Sequence, residues 1–213
     1  MNEFFKRILT ATILSLVAFF FIIKGGYFFI IFLIILFSLT FFEWFLLCEK
    51  KIILIFGILI LSSSFLSAFI LRNENLPFFL LIILISVMSD VGGYIFGKFF
   101  KGPKLTKISP KKTYSGMMGS YIMSILVGIF YINYLNTNLI YLELDFSNQI
   151  LFFIIFFIST INQLGDLMIS YFKRLKKVND TGKLLPGHGG ILDRIDGLIF
   201  SIIAGFLFKL LLL

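Results

Sequence analysis

One cysteine, one histidine and few charges are the scarcities that define these 213 residues. The single Cys48 excludes an internal disulfide and a cysteine metal cluster. The single His188, with no second histidine or cysteine to join it, makes a poor zinc site. Only 14% of residues are charged, where a soluble domain carries roughly 25%. No stretch is long and polar enough to form a soluble domain, and no internal repeat or low-complexity linker divides the chain. A nucleic-acid reader needs a solvated basic surface with a reading element, and none is present. The net charge of +8 therefore points to anionic lipid or nucleotide, with no nucleic acid as partner.

What the chain has instead is oil. Hydrophobic residues make up 59%, and mean hydropathy is +1.04. Seven apolar runs can be traced at about 8–23, 26–47, 52–71, 76–97, 114–135, 149–170 and 191–212. Each approaches the roughly 20 residues that a helix needs to cross a bilayer core. Backbone in lipid must satisfy its own hydrogen bonds, so all seven are expected to be helices. The fold class expected is all-α, a polytopic membrane protein of about seven spans. It forms one membrane domain over 1–213, with apolar helices in 1–80 and the chemistry in 81–213. The first run follows Lys6-Arg7 but no small-residue cleavage site follows it, so it is expected to stay as a span.

Charge sets the orientation. With the N-terminus cytoplasmic, segments 1–7, 48–51, 98–113 and 171–190 face inward and hold 15 of the 19 basic residues. Lys24 and Arg72 alone fall in the outer connections, Arg194 and Lys209 lie in the last run, and loop 136–148 carries Glu143 and Asp145 without a basic residue. This follows the positive-inside rule, predicts a multi-pass protein of the cell (inner) membrane and leaves the C-terminus outside.

Polar residues concentrate in 166–197, which holds four of the eleven carboxylates and the histidine. Charges at a membrane edge are costly and mark a functional site by default. Asp166, Ser170, Lys173 and Arg174 stand at i, i+4, i+7 and i+8, on one helix face. Asp166 alone would be as well explained by a pairing with Lys173 or with a polar group on another helix. Asp193 and Asp196 are three apart on the opening turns of the last helix, where capping alone explains one of them. Together with Asp166 and Asp180 they suit a divalent cation. Between the two helices runs Pro186-Gly187-His188-Gly189-Gly190, whose glycines let backbone N–H groups approach a ligand. His188 fits a substrate contact there better than a base.

A second constellation begins at Asp90. Gly93 and Gly97 form a small-xxx-small face for close helix packing, with Asp90 beside it. Ser109-Pro110-Lys111-Lys112-Thr113 then opens a helix, and hydroxyls, lysines and a helix N-terminus all favour phosphate. A lysine-rich loop is otherwise a topology signal or a lipid-surface anchor. Glu43-Trp44, near the inner end of the second run, is explained by a glutamate that snorkels to water.

These two constellations resemble the phosphatidate cytidylyltransferases, the CDP-diacylglycerol synthases. The resemblance is carried by Ser170-x-x-Lys173-Arg174, Asp180 and Leu185-Pro186-Gly187-His188-Gly189-Gly190-Ile191-x-Asp193-Arg194-x-Asp196. It is carried further by Asp90, Tyr94, Gly97 and Ser109 through Tyr114 and Gly116, with Glu43-Trp44 as a weaker feature. Ser115 departs from the family's glutamate and Asn179 from its lysine. The chain is also shorter than the family usually runs, as though N-terminal helices were missing. The resemblance implies CTP and phosphatidate as substrates, CDP-diacylglycerol and pyrophosphate as products, and a polar funnel open to the cytoplasm. It implies Mg2+ on Asp166, Asp193 and Asp196, and leaves open a second, monovalent cation and a homodimer. Lys173, Arg174 and His188 would join those carboxylates in catalysis. Substrate contacts would come from Asp90, Ser109, Lys111, Lys112, Thr113, Ser170, Gly189, Gly190 and Arg194. Two alternatives remain: a CTP-dependent polyprenol or phytol kinase, which should lack the full Pro-Gly-His-Gly-Gly run, and a transporter, whose charges should lie near mid-bilayer.

Overall fold

The apolar runs become seven helices in a computed structural model that describes residues 3–137, 148–182, 184 and 189–212. They are α1 (Glu3–Lys24), α2 (Gly26–Leu47), α3 (Lys51–Glu74), α4 (Leu76–Phe100), α5 (Tyr114–Thr137), α6 (Asn148–Leu175) and α7 (Leu192–Leu212). The expected starts and stops hold to within about five residues, the widest differences being the earlier start of α1 and the continuation of α6 through Lys173 and Arg174 to Leu175. Five helices, α2 to α6, are long and apolar enough to cross a membrane. In α1 the stretch that can be assessed, Thr12–Lys24, is short, and α7 interrupts its apolar run with Asp193, Arg194, Asp196 and Lys209. The chain is thus an all-α polytopic membrane protein, with seven helices among the described residues, five of which meet the criterion for a span.

Phe29, Leu71, Phe78, Ile85, Ile155 and Ile202 form the centre of the larger core, drawn from α2, α3, α4, α6 and α7. Several polar groups at its edge are paired, as lipid favours. Ser120 Oγ donates to the Ser89 carbonyl at 2.7 Å, and Ser124 Oγ donates to the Ile85 carbonyl at 3.1 Å. Ser124, Ser159 and Ser89 continue as a hydroxyl chain at 3.3 and 3.1 Å. That chain ties α4, α5 and α6 together one residue from Asp90.

The α4–α5 pairing brings two helix backbones together. A Cβ on Gly92 would stand 2.3 Å from the Gly119 carbonyl oxygen, and one on Gly116 would stand 2.8 Å from the Gly93 carbonyl oxygen. The expected small-residue face is therefore a seam where two backbones touch. At the opposite end of the bundle, Arg72 donates to the carbonyls of Ile22 and Ile23, closing the end of α1, and Lys209 pairs with Glu74.

Candidate active site

The ends of α2, α4 and α6 and the starts of α5 and α7 meet at one pole of the bundle. α4 stops at Lys101, which takes a left-handed conformation (φ 49°) and donates its N–H to Gly97. The connection to α5 then folds back on itself: Leu105 N–H donates to the Lys112 carbonyl at 2.8 Å, and Tyr114 N–H to the Pro103 carbonyl at 3.1 Å. Thr113 caps α5 by accepting the Gly116 N–H at 3.1 Å. Ser115 accepts the Gly102 N–H at 3.3 Å, so the serine at the departing position fastens the root of this loop. The folded-back loop presents Ser109, Lys111 and Lys112 over the end of α6.

A cavity of about 290 Å³ lies beneath it, lined by Asp90 and Tyr94 from α4, Ser109, Lys111 and Lys112 from the loop, and Asp166 from α6, among others. Lys112 Nζ lies 2.5 Å from Asp166 Oδ2, and Ser170 Oγ donates to Asp166 Oδ1 at 3.3 Å. Of the pairings open to Asp166, the structure selects one with a lysine 54 positions earlier. Asp90 accepts a hydrogen bond from Asn162 Nδ2 at 2.8 Å, and Asn162 Oδ1 accepts from Ser201 Oγ at 3.3 Å. Asn162 is fully buried, so this chain aims Asp90 from behind.

Asp196, 9% exposed, faces the same region from α7 and accepts the N–H of Gly197 at 2.9 Å. The charges of Asp90, Asp166 and Asp196 act on one another, with Lys112, Lys173 and Arg194 acting as counter-charges on members of the set. Three carboxylates in mutual repulsion favour a cation. Among the described residues, no three Asp, Glu, His or Cys side chains are close enough to enclose a metal by themselves. Magnesium seldom needs such a cage, since it takes one or two carboxylates and completes its shell with water and substrate phosphates.

Asp193 is differently placed. Its Oδ1 pairs with Lys173 Nζ at 2.8 Å, while Oδ2 accepts the N–H groups of Thr181 at 2.8 Å and Gly190 at 3.0 Å. Lys173 thus turns to Asp193 and away from Asp166. Arg174, expected on the same face, donates to the carbonyls of Ile108 and Val178 and to Asn179 Oδ1 at 2.7 Å. It links α6 to the folded-back loop, and Asn179 supplies an acceptor where a lysine would repel it. Gly189 has φ +80°, the conformation that excludes a side chain, and Arg194 lies exposed beyond it. Lys183 and Leu185 to His188 lie outside the described residues, and with them the expected role of His188.

Three contributors were not singled out as site residues in the sequence. Asn162 stands four positions before Asp166, a spacing that puts both on one face and could have flagged it. Gln163 lines the cavity with a buried Nε2 that finds no partner among the described residues. Glu43 is 1% exposed and turned inward, so the expected snorkelling does not occur.

Residues 50–212 match the cytidylyltransferase family. A phosphatidate cytidylyltransferase of Rickettsia conorii is 37% identical over 175 residues, covering 80% of this chain and 75% of that one. One of Staphylococcus saprophyticus is 39% identical over 130 residues, or 61% of this chain. One of Staphylococcus epidermidis is 40% identical over a stretch of the same length. The match spans about half the length of the two staphylococcal proteins, 47% in each case.

Proposed function

The chain belongs to the cytidylyltransferase family, and on that premise we propose that it transfers CMP from CTP to phosphatidate, releasing pyrophosphate. The observation that carries the proposal is the Lys112–Asp166 pair beside Asp90 and Lys111 in one cavity at the pole of a membrane bundle. One substrate is a lipid and the other a dissolved nucleotide, so the reaction requires a site at that depth.

In the reaction, a phosphate oxygen of phosphatidate forms a bond to the α-phosphorus of CTP, the α–β anhydride bond breaks, and pyrophosphate leaves with the electron pair. A phosphomonoester is mostly ionised at neutral pH, its second pKa being roughly 6, so attack needs no general base. The obstacles are repulsion between anions, alignment and charge on the leaving group. Lys111 and Lys112 answer the first, standing on a loop fixed at its root by Ser115 and at its far end by the cap of α5. Ser109 and Thr113 add hydroxyls at the same helix start. Asn162 and Ser201 hold Asp90 against rotation.

Asp90, Asp166 and Asp196 are the groups that would hold magnesium, which would supply positive charge to offset that of the phosphates. Asp193, whose oxygens already take three donors, ties the N–H groups of Thr181 and Gly190 to Lys173 of α6, and a metal there would compete with those donors.

Reconstituted protein given phosphatidate, magnesium and each nucleoside triphosphate in turn should form CDP-lipid and pyrophosphate with CTP. Absence of a nucleotide-linked lipid with every triphosphate would end this reading and favour the transporter. A phosphorylated polyprenol would favour the kinase.

The site is proposed to face the cytoplasm, since 15 of 19 basic residues fall on that side. Cysteines placed at positions 104 and 138 in a Cys48→Ser background should label from opposite faces, and labelling from one face would overturn the orientation. Unmodified Cys48 should contribute slowly at neutral pH. Burial pushes its thiol up to about 11, against which Lys176 works more weakly, so the reactive thiolate is scarce until pH approaches that value.

A further inference from the structure

A carboxylate buried in an apolar bundle is unfavourable unless donors surround it. Glu43, on the last turns of α2, meets that condition with three. Its Oε1 accepts the Ile191 N–H at 2.9 Å, and its Oε2 accepts the Leu192 N–H at 2.8 Å and the Thr181 hydroxyl at 3.0 Å. The two N–H groups open α7 and have no partner within the helix, and the positive end of the helix dipole favours an anion there.

The same stretch of chain is held from its other side by Asp193, through the N–H groups of Thr181 and Gly190. Thr181 therefore offers its backbone to one carboxylate and its hydroxyl to the other. The loop leaves at Thr181 and returns at Gly190 through a base closed by two acids from different helices. Space at that base is tight. A Cβ on Gly190 would stand 2.2 Å from Thr181 Oγ1 and 2.5 Å from Glu43 Oε2, and one on Gly182 would stand 2.7 Å from Glu43 Oε1. Glycine at both positions is what allows the carboxylate to enter.

We infer that Glu43 is a positioning residue that fixes the base of the 181–192 loop, and through it the start of α7, in the register the active site requires. The inference rests on the reaction proposed above. Glu43 precedes the 50–212 family match, so the inference extends the site to a helix outside that match. Glutamine is the sharp replacement, because it keeps the shape while aiming an NH2 group at N–H or O–H donors.

The test uses the full chain in detergent micelles: wild type, Glu43→Gln, Thr181→Val and the double variant. Turnover of CTP and phosphatidate is measured per folded molecule, with amide hydrogen exchange of the 181–192 segment followed alongside. Glu43→Gln should lower kcat by about tenfold or more, since misplacement by fractions of an ångström is costly to alignment. Its KM for phosphatidate should stay within about twofold of wild type, as expected when uniform binding is untouched. Exchange at 190–192 should accelerate while the rest of the chain keeps its protection. Thr181→Val should show a smaller loss of the same kind, and the double variant should be no worse than Glu43→Gln, because the hydroxyl has already lost its proper partner. A folded Glu43→Gln protein with wild-type kcat and exchange overturns the inference, as does activity lost only in proportion to unfolding. Should Glu43→Gln fail to fold, Thr181→Val decides: unchanged turnover and exchange there overturn it. Should the wild type make no CDP-lipid, the proposed reaction fails and local exchange alone decides for or against Glu43.

Discussion

Two sets of carboxylates stand at the same pole of this bundle and are treated in opposite ways. Asp90 and Asp166 line the cavity, the first beside an asparagine and the second beside a lysine, and the charge of Asp196 acts on both. Glu43 and Asp193 are saturated by backbone N–H groups, a threonine hydroxyl and, for Asp193, one lysine. Acids of the first kind have charge left over for the cation proposed above, and acids of the second kind hold backbone in place. Residue type and membrane depth do not separate them. Their donors do.

The strongest way to break this comparison is Asp166→Asn. It keeps the shape, removes the charge facing Lys112, and should lower CTP-dependent turnover by about 100-fold or more, in the range found for losing a preorganised charge-stabilising group. The residual activity should require several-fold more magnesium or respond to manganese. A near-normal rate with unchanged magnesium dependence would move Asp166 into the structural set.

Asp193→Asn should cost less, about tenfold, by loosening the loop and stranding Lys173 without its anion. Its magnesium dependence should match wild type. A shift as large as that of Asp166→Asn would place Asp193 with the metal ligands after all and merge the two sets.

Asn162→Ala touches the first set from behind. Turnover should fall by about three- to tenfold, the loss of one charge-assisted hydrogen bond to Asp90 spread over ground and transition states. Ser201→Ala, one link further back, should have a smaller effect still. Equal losses from both would mean that the chain serves packing and does not aim Asp90.

Much of this was legible in the sequence, and the reasons are local. The helices follow from apolar run length, and the start of α5 from the run that begins after Ser109-Pro110-Lys111-Lys112-Thr113. The closeness of α4 and α5 follows from glycines at helical spacing. Pairings between distant positions had no such signal. Lys112 with Asp166 and Lys173 with Asp193 both join positions far apart in the chain, and periodicity within one helix could only offer Lys173 as one of the partners open to Asp166. Glu43 misled for a related reason: near the end of an apolar run, a glutamate that reaches water and one that reaches a neighbouring helix N-terminus look alike. Only the position of α7 separates them.

The glycine seam has a mechanical consequence. With the Gly92 and Gly119 backbones in contact, α4 and α5 have no side-chain layer between them to compress or slide. They act as a single plate carrying Asp90 at its face and Lys111 and Lys112 at its rim. A product that must back out toward lipid cannot be let through by parting that plate. α6 and α7 meet in the same way where a Cβ on Gly197 would stand 2.7 Å from the Asn162 carbonyl oxygen, so the give has to come from the hydrogen-bonded connections between helices.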